Sequence, residues 1–193
     1  ALALHETIGR LGAQVDTEVG ADAALLGLTT LARFATPAFR VLADMLAVPR
    51  LDERDFERVR DLRLNRLLQL REMPPALAER TFTQRIYGAH AYGHLPIGSE
   101  SSLRAMSVDE TRTFHRAMYE PSRVTIIAVG DASHDELASL TEEAFGSWRG
   151  SADAAPLTDP ALLPIVPESS ERFVLVPRSG APQSELRIGH MAA

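Results

Sequence analysis

The sequence predicts an α+β domain with helices packed on one face of a mostly antiparallel sheet. Three observations carry that expectation. A hairpin pattern lies near the start of the chain, a series of amphipathic helical patterns follows it, and a β-branched run then returns the chain to the sheet before a further helix.

Taken in order, Leu4, Ile8 and Leu11 recur at three- and four-residue intervals and Gly12 follows as a stop, so the first segment reads as the end of an amphipathic helix. Residues 13–19 and 23–31 read as two strands, with Gly20 to Asp22 as the turn between them. Thr36 and Pro37 have the form of an N-cap and first helical position. Phe39, Leu42, Ala43 and Leu46 give that helix its apolar face, and Pro49 stops it. A longer helix, about twenty residues, begins near Asp52 and carries Phe56, Val59, Leu62, Leu64, Leu67, Leu68 and Leu70 mainly along one face through residue 72. Pro74 and Pro75 break the chain before a third helix over 75–87, and the glycines and proline of 88–98 make a loop.

Ser107 with Glu110 three residues later is a capping box, opening a helix that ends near Tyr119. Val124 to Val129 is a continuous run suited to a strand buried on both faces, and Gly130-Asp131 ends it. Ser133 opens a helix with Leu137, Leu140 and Phe145, closed by Gly146. Residues 150–170 hold four prolines among alanine, serine and acidic residues and read as a linker. Phe173 to Val176 and Glu185 to Ile188 read as strands. The expected organisation is therefore one α+β domain over 1–149, a linker over 150–170 and the opening of a second, similar domain over 171–193.

Bulk properties narrow the function. The 193 residues are 45% hydrophobic and 24% charged, as in an ordinary globular chain. No apolar run is long enough to span a membrane. The absence of cysteine removes thiolate metal sites and cysteine nucleophiles, so any metal must rest on His and carboxylates. A net charge of −6 argues against nucleic acid. Arg54, Arg58, Arg60, Arg63, Arg66 and Arg71 do cluster, but Asp52, Glu53, Asp55, Glu57 and Asp61 interleave with them as on a solvated, ion-paired helix. The chain opens at Ala1, without Met and already inside a helical pattern, so an upstream segment is expected. Localisation is left unassigned, with periplasm or cell envelope favoured over cytoplasm.

Four segments, in order, carry a family resemblance. Tyr87-Gly88-Ala89-His90-Ala91-Tyr92-Gly93-His94-Leu95-Pro96-Ile97-Gly98 is similar to a loop that closes a helical layer. Met106 through Phe114 and Tyr119-Glu120-Pro121-Ser122 into Val124 to Asp131 matches a helix, a Tyr-x-Pro turn and a returning strand. Phe145-Gly146-Ser147-Trp148 looks like the Phe-Gly-x-Trp after the next helix, and Gly180-Ala181-Pro182-Gln183-Ser184 like the start of a second repeat. Together they resemble the insulinase/pitrilysin family, which includes the mitochondrial processing peptidases, and the fragment resembles its non-catalytic partner type.

The resemblance implies a LuxS/processing-peptidase-like domain, N-terminally incomplete, missing its first strands and metal helix. It also implies two similar halves facing each other around a closed chamber. Zinc in the active half is held by an inverted His-x-x-Glu-His and a distal Glu, with one position open for water and the remaining Glu as base.

No His-x-x-Glu-His occurs between Ala1 and Ala193, and the resemblance places that helix mainly upstream. The helix of the distal Glu is present, and the alignment puts Arg66 at the ligand position. Arginine stays protonated and offers no lone pair. Asp61 and Glu72 are turned roughly 140° and 120° around the helix from Arg66. His90 and His94 are four apart, but in a glycine-interrupted loop. His5 reads as surface, and His115, His134 and His190 stand alone. No Gly-x-Ser-x-Gly elbow or phosphate-binding glycine loop is present.

The resemblance also implies that Gln14, Val15, Asp16 and Thr17 occupy the sheet edge that takes peptide as an added strand in catalytic relatives. Val15, Asp16 and Thr17 depart from the Asn, Ala and Tyr common there, and an ordinary hairpin edge is the alternative. The expected function is a partner half, of bacterial type, that closes the chamber and helps bind peptides. It has no catalytic residue and no metal of its own, and zinc is carried by a second half or subunit. Whether the chain is itself part of an enzyme stays open. The alternatives are an active zinc metalloendopeptidase with its metal helix upstream, and a purely structural subunit like the core proteins of the respiratory cytochrome complex.

Overall fold

The computed structural model describes residues 2–20, 22–150 and 173–190, and the chain divides into two compact units. The expected linker over 150–170 lies, apart from Gly150, outside the described residues. The first unit comprises residues 1–56 and 107–156. Helix α1 (Leu2–Arg10) ends as its sequence demands: Leu11 is buried, and Gly12 takes a φ of 58°, which glycine adopts without steric cost. Strands β1 (Gln14–Val19) and β2 (Ala24–Thr29) form an antiparallel hairpin in the register Gln14 to Thr29 through Val19 to Ala24. This is the two-stranded sheet of the described residues, and with the helices around it the fold is α+β.

Helix α2 (Ala35–Ala47) begins two residues before the expected start. A 3-10 turn over Ala32–Phe34, closed by Phe34 N–H donating to the Leu31 carbonyl at 2.8 Å, already directs the chain into the helix. Thr36 is therefore not the N-cap but lies inside the first turn, and Pro37 beside it loses nothing by lacking an N–H. Helix α7 (His134–Phe145) packs on α2, burying Ala38, Ala43 and Phe145, while Arg40 and Glu143 pair at the surface.

Helix α6 (Val108–Met118) is tied to the end of α2 by His115, whose Nε2 donates to the Leu46 carbonyl at 2.8 Å. Arg112 Nη2 donates to the Leu51 carbonyl at 2.9 Å. Leu51 has a φ of 44°, a conformation that costs an L-residue roughly 1–2 kcal/mol, and the Arg112 bond offsets part of that cost.

Val124–Val129 departs from the expected strand. Its side chains do alternate, with Val124, Ile126 and Ala128 half-buried and Thr125, Ile127 and Val129 exposed. No partner strand lies beside it among the described residues, and a β ladder needs donors and acceptors from a neighbour.

The second unit comprises residues 57–106 and 157–193. Helix α3 (Glu53–Arg71) starts in the first unit, with Asp52 Oδ1 accepting from Arg54 N–H at 3.1 Å, and runs into the second, where Leu67 is buried. Pro74 opens α4 (Pro74–Tyr87), and a 3-10 turn over Ala91–Gly93 packs against it. A further helix, α5 (Glu100–Ala105), follows with Leu103 buried. The expected strands Phe173–Val176 and Glu185–Ile188 are likewise unpaired among the described residues. The second segment instead fastens to α4 through Arg187, which pairs with Glu79 at 3.0 Å.

Candidate functional site

The four residues expected to hold peptide lie consecutively on β1. Gln14, Asp16 and Thr17 are exposed and Val15 is half-buried. They pair with Thr29, Gly27, Leu26 and Leu28 respectively, along one edge of β1. No strand occupies the other edge among the described residues. Gly27 stands opposite Asp16, leaving that stretch of the hairpin without a cross-strand side chain. An unpaired edge of this kind can hold an extended peptide through main-chain hydrogen bonds alone, with little demand on side-chain identity.

The structure brings these residues together as an edge but not as a reactive centre. Acyl or peptidyl chemistry needs a nucleophile or an activated water with its base, and the edge offers one exposed carboxylate, Asp16, and one hydroxyl, Thr17.

Arg66 is exposed on α3, and its Nη1 donates to Gln69 Oε1 at 3.3 Å, one turn along the same helix. Near the end of that helix, Glu72 accepts from Arg178 Nη2 at 2.7 Å. A zinc ligand set therefore does not fit here: the guanidinium has no lone pair, and the closest carboxylate on the C-terminal side is engaged with an arginine. His90 is buried as the N-cap of its 3-10 turn. Its Nδ1 accepts from Tyr92 N–H at 3.2 Å, and its ring meets the Tyr92 ring edge-on at 4.9 Å. Its role in the loop is structural, and His94 is exposed. Among the described residues no three His, Asp or Glu side chains converge as a metal-binding group.

His115 also has packing partners. Its ring stacks on Tyr119 at 4.9 Å, and both line a cleft of about 390 Å³ with Asp44, Glu120, Trp148 and Arg149. The Leu46 bond fixes the Nε2–H on this ring, so the cleft marks the seam where α6 meets the end of α2.

A feature that sequence reasoning does not anticipate is α5 and the basic cleft around it. The signal was present as Ser99 followed by Ser102: Ser99 Oγ accepts from Ser102 N–H at 3.1 Å, and Ser102 Oγ accepts from Ser99 N–H at 3.1 Å. This is a capping box with serine where glutamate is usual. At the mouth of α5, Glu100 bridges Arg71 at 2.9 Å and Arg104 at 3.0 Å, and both arginines hold its carboxyl below the usual glutamate range, Arg104 most strongly.

Comparison with known proteins finds similarity to one family. Residues 105–189 match the family described as Peptidase M16 inactive domain. The chain is 26% identical over 157 residues to an uncharacterized zinc protease, YmxG, of Bacillus subtilis, covering 81% of this chain and 38% of that protein. It is 30% identical over 154 residues to an uncharacterized zinc protease of Mycobacterium bovis, covering 79% of this chain and 34% of the relative. This chain thus spans roughly a third of the length of the curated relatives it matches.

Its fold is that of a peptidase M16 inactive domain from Pseudomonas fluorescens, with a TM-score of 0.74 at 22% identity, covering 81% of this chain and 38% of that one. Pitrilysin gives 0.66 at 20% identity, covering 82% and 18%. The resemblance read from the loop, turn and Phe-Gly-x-Trp segments stands, and the chain is a relative of the insulinase/pitrilysin, or M16, peptidases.

Proposed function

We propose that this chain is the non-catalytic partner half of an M16-type zinc peptidase, closing the chamber and helping to bind peptides while a second half or subunit carries the zinc. The observation that carries the reading is Arg66. The position aligned with the distal metal ligand holds a guanidinium that is exposed and, among the described residues, bonded only along its own helix. The match of residues 105–189 to an inactive domain supports it. The β1 edge at Gln14, Val15, Asp16 and Thr17 is the proposed peptide-holding element, because main-chain pairing survives a change of side chains. The division into a domain over 1–149, a linker and a second domain from 171, and placement in the cell envelope, belong to the same proposal.

One observation favours a second reading. The relatives carry the name zinc protease and are more than twice as long as this chain, so an active endopeptidase whose metal helix lies elsewhere in the polypeptide is the competing account. Peptidase assays separate the two: the partner-half reading expects no activity from this polypeptide until a zinc-bearing half is added, and chelator-sensitive activity in the polypeptide alone overturns it.

A further inference from the structure

In the second unit, the end of α3, the middle of α4 and the start of α5 enclose an open cleft of about 440 Å³, lined by Arg71, Arg80, Ser99, Glu100, Ser101 and Arg104. Three guanidinium groups and one carboxylate give this lining a formal charge of +2, in a chain whose own formal charge is −6. A concentration of one sign in a concave surface attracts the opposite ion.

The four charged groups are not equivalent. Glu100 satisfies parts of two arginines, through Oε2 to Arg71 at 2.9 Å and through Oε1 to Arg104 Nε at 3.1 Å and Nη2 at 3.0 Å. Its carboxyl, held below the usual range by Arg104 and Arg71, stays ionised at neutral pH and offsets one positive charge. Arg80 is half-buried and has neither carboxylate nor carbonyl bonded to it among the described residues. Partial burial of a guanidinium without an anion is unfavourable, so the site gains from a ligand that supplies one.

We propose that this cleft binds a phosphate dianion, free or as the phosphate of a small phosphomonoester, with Arg80 as its first contact and Arg71 and Arg104 closing on its remaining oxygens. Charge and geometry select phosphate over carboxylate. The lining charge of +2 is balanced by a dianion, and three guanidinium forks offer more donors than two carboxylate oxygens accept. The serine hydroxyls add little. Ser99, Ser101 and Ser102 bond to one another at 3.0 Å within the α5 cap, so the arginines carry the binding and Glu100 competes with the ligand. The proposal is independent of whether the chain works as a partner half.

Calorimetric titration of the full chain at low ionic strength tests it, with inorganic phosphate and phenyl phosphate as separate probes. The expected result is saturable binding of at least one probe. Arg80→Gln should weaken it about tenfold, the scale of one charge-assisted hydrogen bond. Glu100→Gln should strengthen it several-fold by releasing Arg71 and Arg104. Binding of phenyl phosphate alone assigns the phosphomonoester as the source, and equal binding of both assigns free phosphate. No saturable binding of either probe, or equal affinity in Arg80→Gln and the unsubstituted chain, overturns the proposal. If Arg80→Gln loses its helical circular dichroism, Arg104→Gln carries the same test.

Discussion

Arg66 and Leu67 are neighbours on α3 with opposite duties. Arg66 is exposed and among the described residues bonds only to Gln69 on its own helix, so Arg66→Ala should change stability by less than about 0.5 kcal/mol in urea denaturation. Leu67 is 3% exposed, and Leu67→Ala leaves a cavity in the small core of the second unit, with an expected loss of about 2–5 kcal/mol in the same experiment. A large loss at Arg66 would mean the guanidinium holds something that the Gln69 bond does not account for. That arginine at position 66 offers a metal no lone pair is legible in the sequence because it depends on residue chemistry alone, while its place at a ligand position rests on the family resemblance. The distinction between these neighbours was less so, since both sit among the charges and leucines of one long helix. Gly93 is a third informative residue. A side chain there would collide with the Gly88 carbonyl, so Gly93→Ala should lower the melting temperature and unsettle the loop that holds His90.

At the scale of elements, capping chemistry sets the helix starts. Glu110 Oε2 accepts from Ser107 N–H at 2.7 Å, and Glu136 Oε2 accepts from Ser133 N–H at 2.7 Å. These backbone bonds, with the serine hydroxyls second, lower both carboxyl groups below their usual value of 4.5. A carboxyl depressed in the folded state contributes stability that is present above its unfolded value and is lost as pH falls through the folded one. Helicity of α6 and α7 should therefore weaken as pH is lowered below 4.5, and Glu110→Gln with Glu136→Gln, which remove the titrating carboxyls, should flatten that dependence in a circular dichroism titration. An unchanged titration would contradict the assignment.

The Ser107 box was readable because serine and glutamate stand at the right spacing before an apolar face. The box at Ser99 was not, because serine replaces glutamate and α5 is only six residues long. The runs Val124–Val129, Phe173–Val176 and Glu185–Ile188 have strand-like composition. Pairing depends on a distant partner that local pattern does not encode, and none stands beside them among the described residues.

At the scale of the whole molecule, the core is thin and much apolar surface is bare. Ile127 is 84% and Val129 92% exposed in the first unit, and Ile188 is 85% exposed in the second. Around Ile188 the usual order is inverted: Glu185 and Arg187 turn inward, with Arg187 paired to Glu79, while Leu186 and Ile188 face out. Surfaces of this kind mark contact with further protein. The chain alone should therefore enhance the fluorescence of an anilinonaphthalene dye strongly, and that signal should fall when a partner half is added. A chain that leaves the dye dark would contradict the exposure described here.

The central claim, that this chain supplies no zinc site, is tested most directly by atomic absorption on the purified chain after dialysis against buffer with trace zinc. The account predicts zinc well below stoichiometric, because Arg66 donates hydrogen bonds and offers no lone pair to a metal. About one tightly held zinc per chain, removed only by a chelator, would contradict it.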